Sequence, residues 1–413
     1  MLRRVLSIVV IVLCLASSFG TSAKTLRMAA WFEEPADLIE AFEEATGITV
    51  EYTYVPDSRA YLEKVTLWAI SGTLPDVLYI PYWGLFPMTD VGVLHPLDGF
   101  LSEDFEGDFL PQGILSFQRD GRQFGMPWEL NPMVIIYDQR IFERYALATP
   151  DDYVRNDDWN AESLVESARK TTKLTPDRTN FETIGLVTWS NAINRFTSFI
   201  WVFGGDVLAE DGATVLLDQP GSIAALEQLA SLFQEERVFM ATGQRGRYGL
   251  EFMEILAGDI TAMRGADIPL LNNIRMENSD LARNVGVVPM PLAPDGAPTS
   301  GLIVHGIGIA ASSEQKEEAW QFIEFAMNNV AQNASIPARQ SQVADWIDYI
   351  SREYGFNVMN YVQGLEKNLR LQPRAINDQV EAILNTYVDR ILTQGVPVVT
   401  AVENAIREIG AIL

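Results

Sequence analysis

Carboxylates and amides standing beside large flat rings are the chemistry this chain offers. Glu33 and Glu34 lie just past Trp31, Glu129 follows Trp128, Asn191 lies two residues past Trp189, and Tyr82 and Trp83 are adjacent. A sugar has an apolar C–H face and a rim of hydroxyls, so it suits a ring beneath it and an acid or amide at its edge. Two of the same carboxylates, roughly 5–10 Å apart with one held protonated, would instead cleave a glycosidic bond. The rings and acids would equally hold an organic cation, such as a polyamine, by cation–π attraction. Residue types leave all three open. The stretch MPWELNPMVIIYD, Met126 to Asp138, concentrates the question: Trp128, Glu129 and Asn131 stand among two prolines, just before an apolar run that reads as a buried strand.

Other chemistries lack material. There are two histidines, His95 and His305, far apart in sequence, and one cysteine, Cys14. That is a poor ligand set for zinc, and NDDWNAE (156–162) is only a loose match to a calcium loop. No GxSxG, phosphate-binding loop or dinucleotide fingerprint occurs, so no cofactor and no metal are expected. A serine triad would have to use His95 or His305, and His305 sits inside an apparent strand, where a structural role is the better reading.

The chain of 413 residues, 48% hydrophobic and 21% charged, is long enough for a two-lobed body. Its first 23 residues read as a secretory signal: Arg3 and Arg4, an apolar run from Val5 to Leu15, then small residues to Ala23. The run is too short for a confident membrane span. Leu13 before Cys14 argues against a lipid-attached cysteine, and cleavage after Ala23 leaves no cysteine and no disulfide. The expected location is therefore periplasmic or otherwise extracytoplasmic. Without Arg3 and Arg4 the chain carries 28 basic and 55 acidic residues, a net −27. Nucleic acid and anionic membrane are disfavoured as partners, since both require a cationic surface. With no heptad and no apolar stripe left over, a monomer is expected.

The elements that must position the rings follow from periodicity. LRMAAW (26–31), ITVEYTYV (48–55) and DVLYI (76–80) read as strands, with helices between them. That β-α-β-α-β order implies parallel strands whose carboxyl ends carry the ligand, here Trp31 to Glu34, Val55 to Asp57 and Pro81 to Trp83. A second α/β body follows. NDDWNAESLVESARKTT reads as a helix, IGLVTW as a strand, and NRFTSFIWVFGGD as a helix stopped by Gly204 and Gly205. Strands return with VGVVPMPL and LIVHGIGIAA. Ser312 with Gln315, and Thr400 with Glu403, have the spacing of capping boxes. Ile376, Val380, Ile383, Tyr387 and Ile391 make one helical stripe. Trp68, Trp320 and Trp346 fall in helical patterns and read as core, whereas Trp31, Trp83, Trp128 and Trp189 each sit at a strand end.

From Leu26 onward the chain resembles the extracellular solute-binding proteins of ABC importers, in the sugar-binding group that includes maltose-binding protein. The likeness is carried, in order, by LIEAFEEATGITVEY, GTLPDVLYIPYWGLFPMTDVGVLHPLD, FGMPWELNPMVIIYD, DDWNAESLVESARKTT, FIWVFGGDVLAEDG, GDITAMRGADIP, the segment from VGVVPMPL to FIEFAM, and IPAR. The resemblance implies two α/β lobes, each a mainly parallel sheet flanked by helices, with ligand in the cleft between them and hinge closure around it. It implies an N-terminal lobe of 24–131 with 289–329, and a C-terminal lobe of 132–288 with 330–413. Chain crossings would lie near Asn131–Tyr137, Val285–Pro289 and Ala326–Asn333. Ligand contacts implied by matching positions are Trp31, Glu33, Glu34, Tyr82, Trp83, Trp128, Glu129, Asn131 and Trp201. Trp189 adds a strand-end ring. Arg264 and Asp267 stand where the family often has a tryptophan. Gly301, beside Ser300, and His305 fall where the family has cleft backbone, and Arg339 falls near the cleft mouth. The implied activity is capture of a sugar or polyol and delivery to an ABC permease, without catalysis.

Overall fold

Thr25–Ala30 (β1), Thr49–Tyr54 (β2) and Val77–Ile80 (β3) form a parallel unit in the spatial order β2-β1-β3. The helices between them, Ala36–Thr46 and Ser58–Ser71, each end on a glycine with left-handed backbone. The computed structural model describes residues 24–102, 105, 107–209, 211–329, 335–354, 367–373, 375 and 377–413. The expected signal segment with Cys14, residues 330–333 of the third expected crossing, and Ile376 lie outside them.

A short hairpin, Gln118–Arg119 (β4) with Arg122–Gln123 (β5), precedes the long strand Met126–Asp138 (β6). Then come Lys173–Leu174 (β7), Phe181–Thr188 (β8), Phe239–Ala241 (β9), Thr261–Asp267 (β10), Val285–Pro289 (β11), Ser300–Ile309 (β12), Ile336–Pro337 (β13) and Leu369–Leu371 (β14). β6 belongs to both halves of the molecule. Its first part, Met126 to Pro132, pairs with β12, which continues to β3; its second part, Met133 to Asp138, pairs with β10 and β11. β8 and β9 extend this second half in parallel. β11 and β12 return along β6 in turn: Pro289 opposes Val134 and, after the excursion 290–299, Leu302 opposes Pro132.

Proline has no N–H to give a ladder, so it is tolerated in strands at irregularities. Both β6 prolines sit at such places. Pro127 lies at the register shift between His305 and Gly306, and Pro132 lies where pairing passes from β12 to β11. Side-chain alternation then divides the core. Val134 and Ile136 face one hydrophobic cluster, which also holds Ile80, Leu271 and Trp346; Met133, Ile135 and Tyr137 face another, with Phe196, Phe199 and Val388. Trp346 is core, as expected, and Trp68 and Trp320 are half-buried at its margin.

Three details differ from expectation. The helix Lys316–Asn328 has no capping box; Ser313, not Ser312, accepts from the Gln315 main chain and donates to Asp76. The last helix starts at Val398 behind Pro397, which leaves Thr400 inside its first turn. Proline's fixed φ already suits that entry. Finally β13 pairs with Leu130 and Glu129, so Ile336 and Pro337 lie against the first half of β6.

Candidate functional site

The carboxyl ends of β1 and β3 carry a wall of rings. Trp31 stacks on Trp83 at 5.7 Å with their planes 9° apart. Tyr79 meets Trp31 edge-on at 4.9 Å, His305 from β12 does so at 5.2 Å, and Tyr82 meets Trp83 edge-on at 4.7 Å. Such pairs contribute about 0.5–1.5 kcal/mol each beyond the area they bury, so the rings hold one another in place before any ligand arrives. The turn that presents Tyr82 and Trp83 is tight: a Cβ on Gly84 would lie 2.7 Å from the Pro81 ring. Trp128 stands behind the wall, edge-on to Phe32 and Tyr79 at 6.0 and 5.9 Å, and is 9% exposed.

Glu129 lies opposite His305 across the β6–β12 ladder. The Tyr79 hydroxyl donates to it at 3.5 Å. Enclosure by the surrounding groups pushes its carboxyl above the ordinary range, against hydrogen bonds from Asn131, Tyr79 and Ser335 that favour the charged form. Asn131 is buried, and its Oδ1 has no donor among the described residues.

Facing the rings is a polar wall made at the starts of two helices, Ile193–Val202 and Asp378–Gln394. Asn191, Asn194 and Arg195 come from the first region, and Asp378, Glu381 and Asn385 from the second. Arg195 is locked by an ion pair to Asp267 at 2.7 Å and by the Trp189 ring, 5.0 Å beneath its guanidinium. Asn385 accepts from the Ile193 main chain, and Asn377 caps the second helix by accepting from the Val380 main chain. Together with Tyr82, Trp83, Leu62 and Glu63 these residues enclose a cavity of about 380 Å³. The Tyr82 hydroxyl donates to Glu381 Oε1 at 3.4 Å and joins the two walls. Beyond that contact a second cavity of about 440 Å³ continues past Phe86, Leu208 and Gln372.

Of the residues singled out from sequence, Trp31, Tyr82, Trp83 and His305 converge on the ring wall, with Trp128 and Glu129 behind it. Glu33 and Glu34 are exposed just past β1. Trp189 and Asp267 reach the cleft indirectly, through Arg195. Four others are placed elsewhere. Trp201 is 1% exposed, donates to Asp206 at 2.7 Å and lies under Arg370, because its helix buries that face. Arg264 is 0% exposed and donates to the carbonyls of Leu256, Thr261 and Gly258, so it ties a turn to β10. Gly301 donates to Ser198 at 3.0 Å, and a Cβ there would sit 2.1 Å from Gln372 Nε2; it is a glycine for packing at the seam. Arg339 pairs with Asp108 at 2.6 Å and lines, with Trp128 and Glu129, a crevice of about 10 Å³, room for no more than a water. Asn194, Arg195, Asp378, Glu381 and Asn385 were not picked out from sequence. The acidic start of the helix after Asn377 was visible there, but only its apolar stripe was read.

Among the described residues, no group of three His, Cys, Asp or Glu side chains is placed to hold a metal, and no helix is long and apolar enough to cross a membrane. The model of the family described as bacterial extracellular solute-binding protein matches residues 25–333. The chain belongs to that family. It is a binding protein, not an enzyme. An erythritol/L-threitol-binding protein of Mycolicibacterium smegmatis is 24% identical over 332 residues, covering 74% of this chain and 67% of that protein. The fold matches an ABC substrate-binding protein of Listeria monocytogenes in complex with cycloalternan, with TM-score 0.75, 18% identity and coverage of 94% and 98% of the two chains. It equally matches a Mycobacterium tuberculosis protein in complex with glycerophosphocholine, with TM-score 0.76, 18% identity and coverage of 94% and 98%. Both likenesses show a two-lobed α/β fold for this chain.

Proposed function

We propose that this protein is the exported receptor of an ABC importer for a sugar or polyol. Residues 1–23 direct export and are removed, and the remainder works as a monomer outside the cytoplasm. The N-terminal lobe is 24–131 with 289–329, and the C-terminal lobe 132–288 with 330–413, apart from β13 on β6 and β14 on β12, which join the first lobe. The observation that carries this reading is the pairing of walls: stacked rings on one side, amides, carboxylates and one locked arginine on the other, around a cavity of about 380 Å³. A ring takes the C–H face of a sugar, and the polar groups take its hydroxyls. A solute touching both walls gains contacts only when the lobes close, so it shifts the population toward the closed form, which the permease then accepts. The polyol named for the Mycolicibacterium relative and the saccharide named for the Listeria neighbour support the same class.

A second reading has one observation in its favour. Glu63, Asp378 and Glu381 face the cavity, and the one arginine there already has Asp267 as its counter-ion. That field favours a cation, and a choline ester is what the Mycobacterium neighbour holds. A thermal-shift screen of the mature protein against polyols, saccharides, glycerophosphocholine and polyamines separates the readings. Ligand at 100 times its Kd adds about 2.7 kcal/mol to folding. A rise with saccharides or polyols that is indifferent to salt supports the first reading. A rise confined to cationic compounds, weakening with salt, replaces it with the second.

A further inference from the structure

The two cavities flanking Tyr82 are continuous with a third, of about 570 Å³, and the shared linings show how. Tyr82, Trp83, Asn194, Asp378 and Glu381 border the first and the second; Phe86, Leu208, Gln372 and Pro373 border the second and the third. The third is lined mainly by residues 85–118 and by β14, which pairs with β12, with Leu208 from the other side; through the shared residues the three make one groove that turns past the ring wall and runs on toward β14. Each bay alone falls in the size range that houses a drug-sized ligand, about 300–1,000 Å³.

The bays differ in chemistry. The first is acidic and amide-rich. The third has an apolar floor of Phe86, Leu115, Leu208 and Pro373, with Gln112 and Gln118 at its edge. Leu115 is 55% exposed there. Arg370 also borders this bay, but its charge is met by Asp206 at 2.6 Å and its guanidinium lies 4.0 Å over Trp201. No uncompensated charge therefore faces a ligand in the third bay, and apolar surface alternates with neutral amides. That alternation matches the two faces of a neutral sugar ring better than it matches a polyamine or a phosphate ester.

Resting on the sugar-receptor reading, we propose that the ligand is a neutral oligosaccharide of three or more units, with its first unit against Trp83 and Arg195 and its distal units on the Phe86–Leu115 floor. A single monosaccharide or tetritol meets one bay and leaves two others filled with water, so it forgoes most of the contact the groove offers. Distal contacts add affinity with each unit until the floor is covered.

The test is equilibrium dialysis of the mature protein against mixed ladders of α- and β-linked gluco-, manno- and xylo-oligosaccharides of one to six units, with erythritol and threitol included, and mass spectrometry of what is retained. The expected result is retention of species of three or more units, with at least a tenfold gain in affinity from one unit to three. In Leu115→Asp, a surface substitution that leaves the core intact, the ratio of long-chain to short-chain affinity drops by tenfold or more. Retention of single units or tetritols with no gain on lengthening overturns the proposal and keeps the sugar reading. A gain with length that Leu115→Asp does not alter overturns the placement of the distal units. Retention of no saccharide at all overturns both.

Discussion

The two walls of the cleft are built by opposite means. The ring wall comes from strand ends, and its side chains hold each other: Trp31 on Trp83, Tyr79 and His305 against Trp31. The polar wall comes from helix starts, and its side chains are held by hydrogen bonds and one ion pair: Arg195 by Asp267, the Ile193 main chain by Asn385. A wall of rings is rigid and non-directional, so it supplies affinity for any ligand with a flat apolar face. Hydrogen-bonding groups are directional, and a missing partner leaves them desolvated and unpaired, so they supply discrimination. The largest test of this division is Trp83→Ala. It removes both the ligand face and the stack that orients Trp31, and a central aromatic of this kind costs about 2 kcal/mol or more on truncation. Calorimetry should show all accepted sugars weakened about thirtyfold or more and by similar factors. A loss confined to one stereoisomer would reverse the roles assigned to the two walls.

Arg195 is the matching test on the other side. Arg195→Met leaves Asp267 half-enclosed without its counter-ion, an unpaired group worth about 1–3 kcal/mol. Affinity should drop about tenfold and unevenly among epimers, and melting temperature should drop as well. Adding Asp267→Asn should restore the melting temperature while leaving the affinity low. If the double variant regains affinity, Arg195 acts on the ligand only through stability.

How much of each wall was legible in the sequence follows from the same contrast. Strand ends are announced locally: alternation or an apolar run stops, and the next residues are Trp31 or Tyr82–Trp83. Trp31, Tyr82 and Trp83 are therefore legible locally, whereas Tyr79, inside β3, carries no such signal. The polar wall depends on which helix start meets which, over separations such as Asn191 to Glu381, and no local period reports that. Two residues carried over from the family pattern show the limit in the other direction. Trp201 lies in a helix buried at every residue except Asn194 and Arg195, and Arg264 is spent on three carbonyls of its own turn. A matching position predicted a side chain's place along the chain but not the direction in which it points. β6 was legible as a buried strand, and the resemblance implied a crossing near Asn131–Tyr137, whereas the switch of partner at Pro132 appears only in the pairing.

The contact that joins the walls makes a smaller effect. Tyr82 donates to Glu381 at 3.4 Å, a long bond from a buried tyrosine to a half-buried carboxylate. Tyr82→Phe keeps the ring and removes the donor, so it should cost about 0.5–1 kcal/mol of whatever closure the bond favours. Affinity should fall no more than about fivefold. Small-angle scattering of the unliganded protein should show a radius of gyration equal to or slightly above that of the parent. A tenfold or larger loss would place the Tyr82 hydroxyl on the ligand rather than on Glu381.

The smallest effect concerns the carboxyl behind the ring wall, and its sign follows from linkage. Glu129 has a raised pKa in the fold because its surroundings disfavour the charge. The folded state therefore binds its proton more tightly than the unfolded chain does. The resulting stability is complete below the unfolded value near 4.5 and is lost as pH rises through the folded value. The carboxylate is thus the form of this side chain that the fold disfavours. Glu129→Gln removes the ionisable group and keeps a side chain of similar size beside Asn131. Melting temperature should rise by up to a few degrees at pH 7 and by nothing at pH 4, where the parent side chain is itself neutral. A carboxylate needed directly by the ligand gives a different signature: unchanged or lower melting temperature without sugar, and loss of the ligand-induced shift at every pH. Since Glu129 faces Tyr79 and lies behind the rings, the first signature is the expected one, and ligand affinity should change by no more than about twofold.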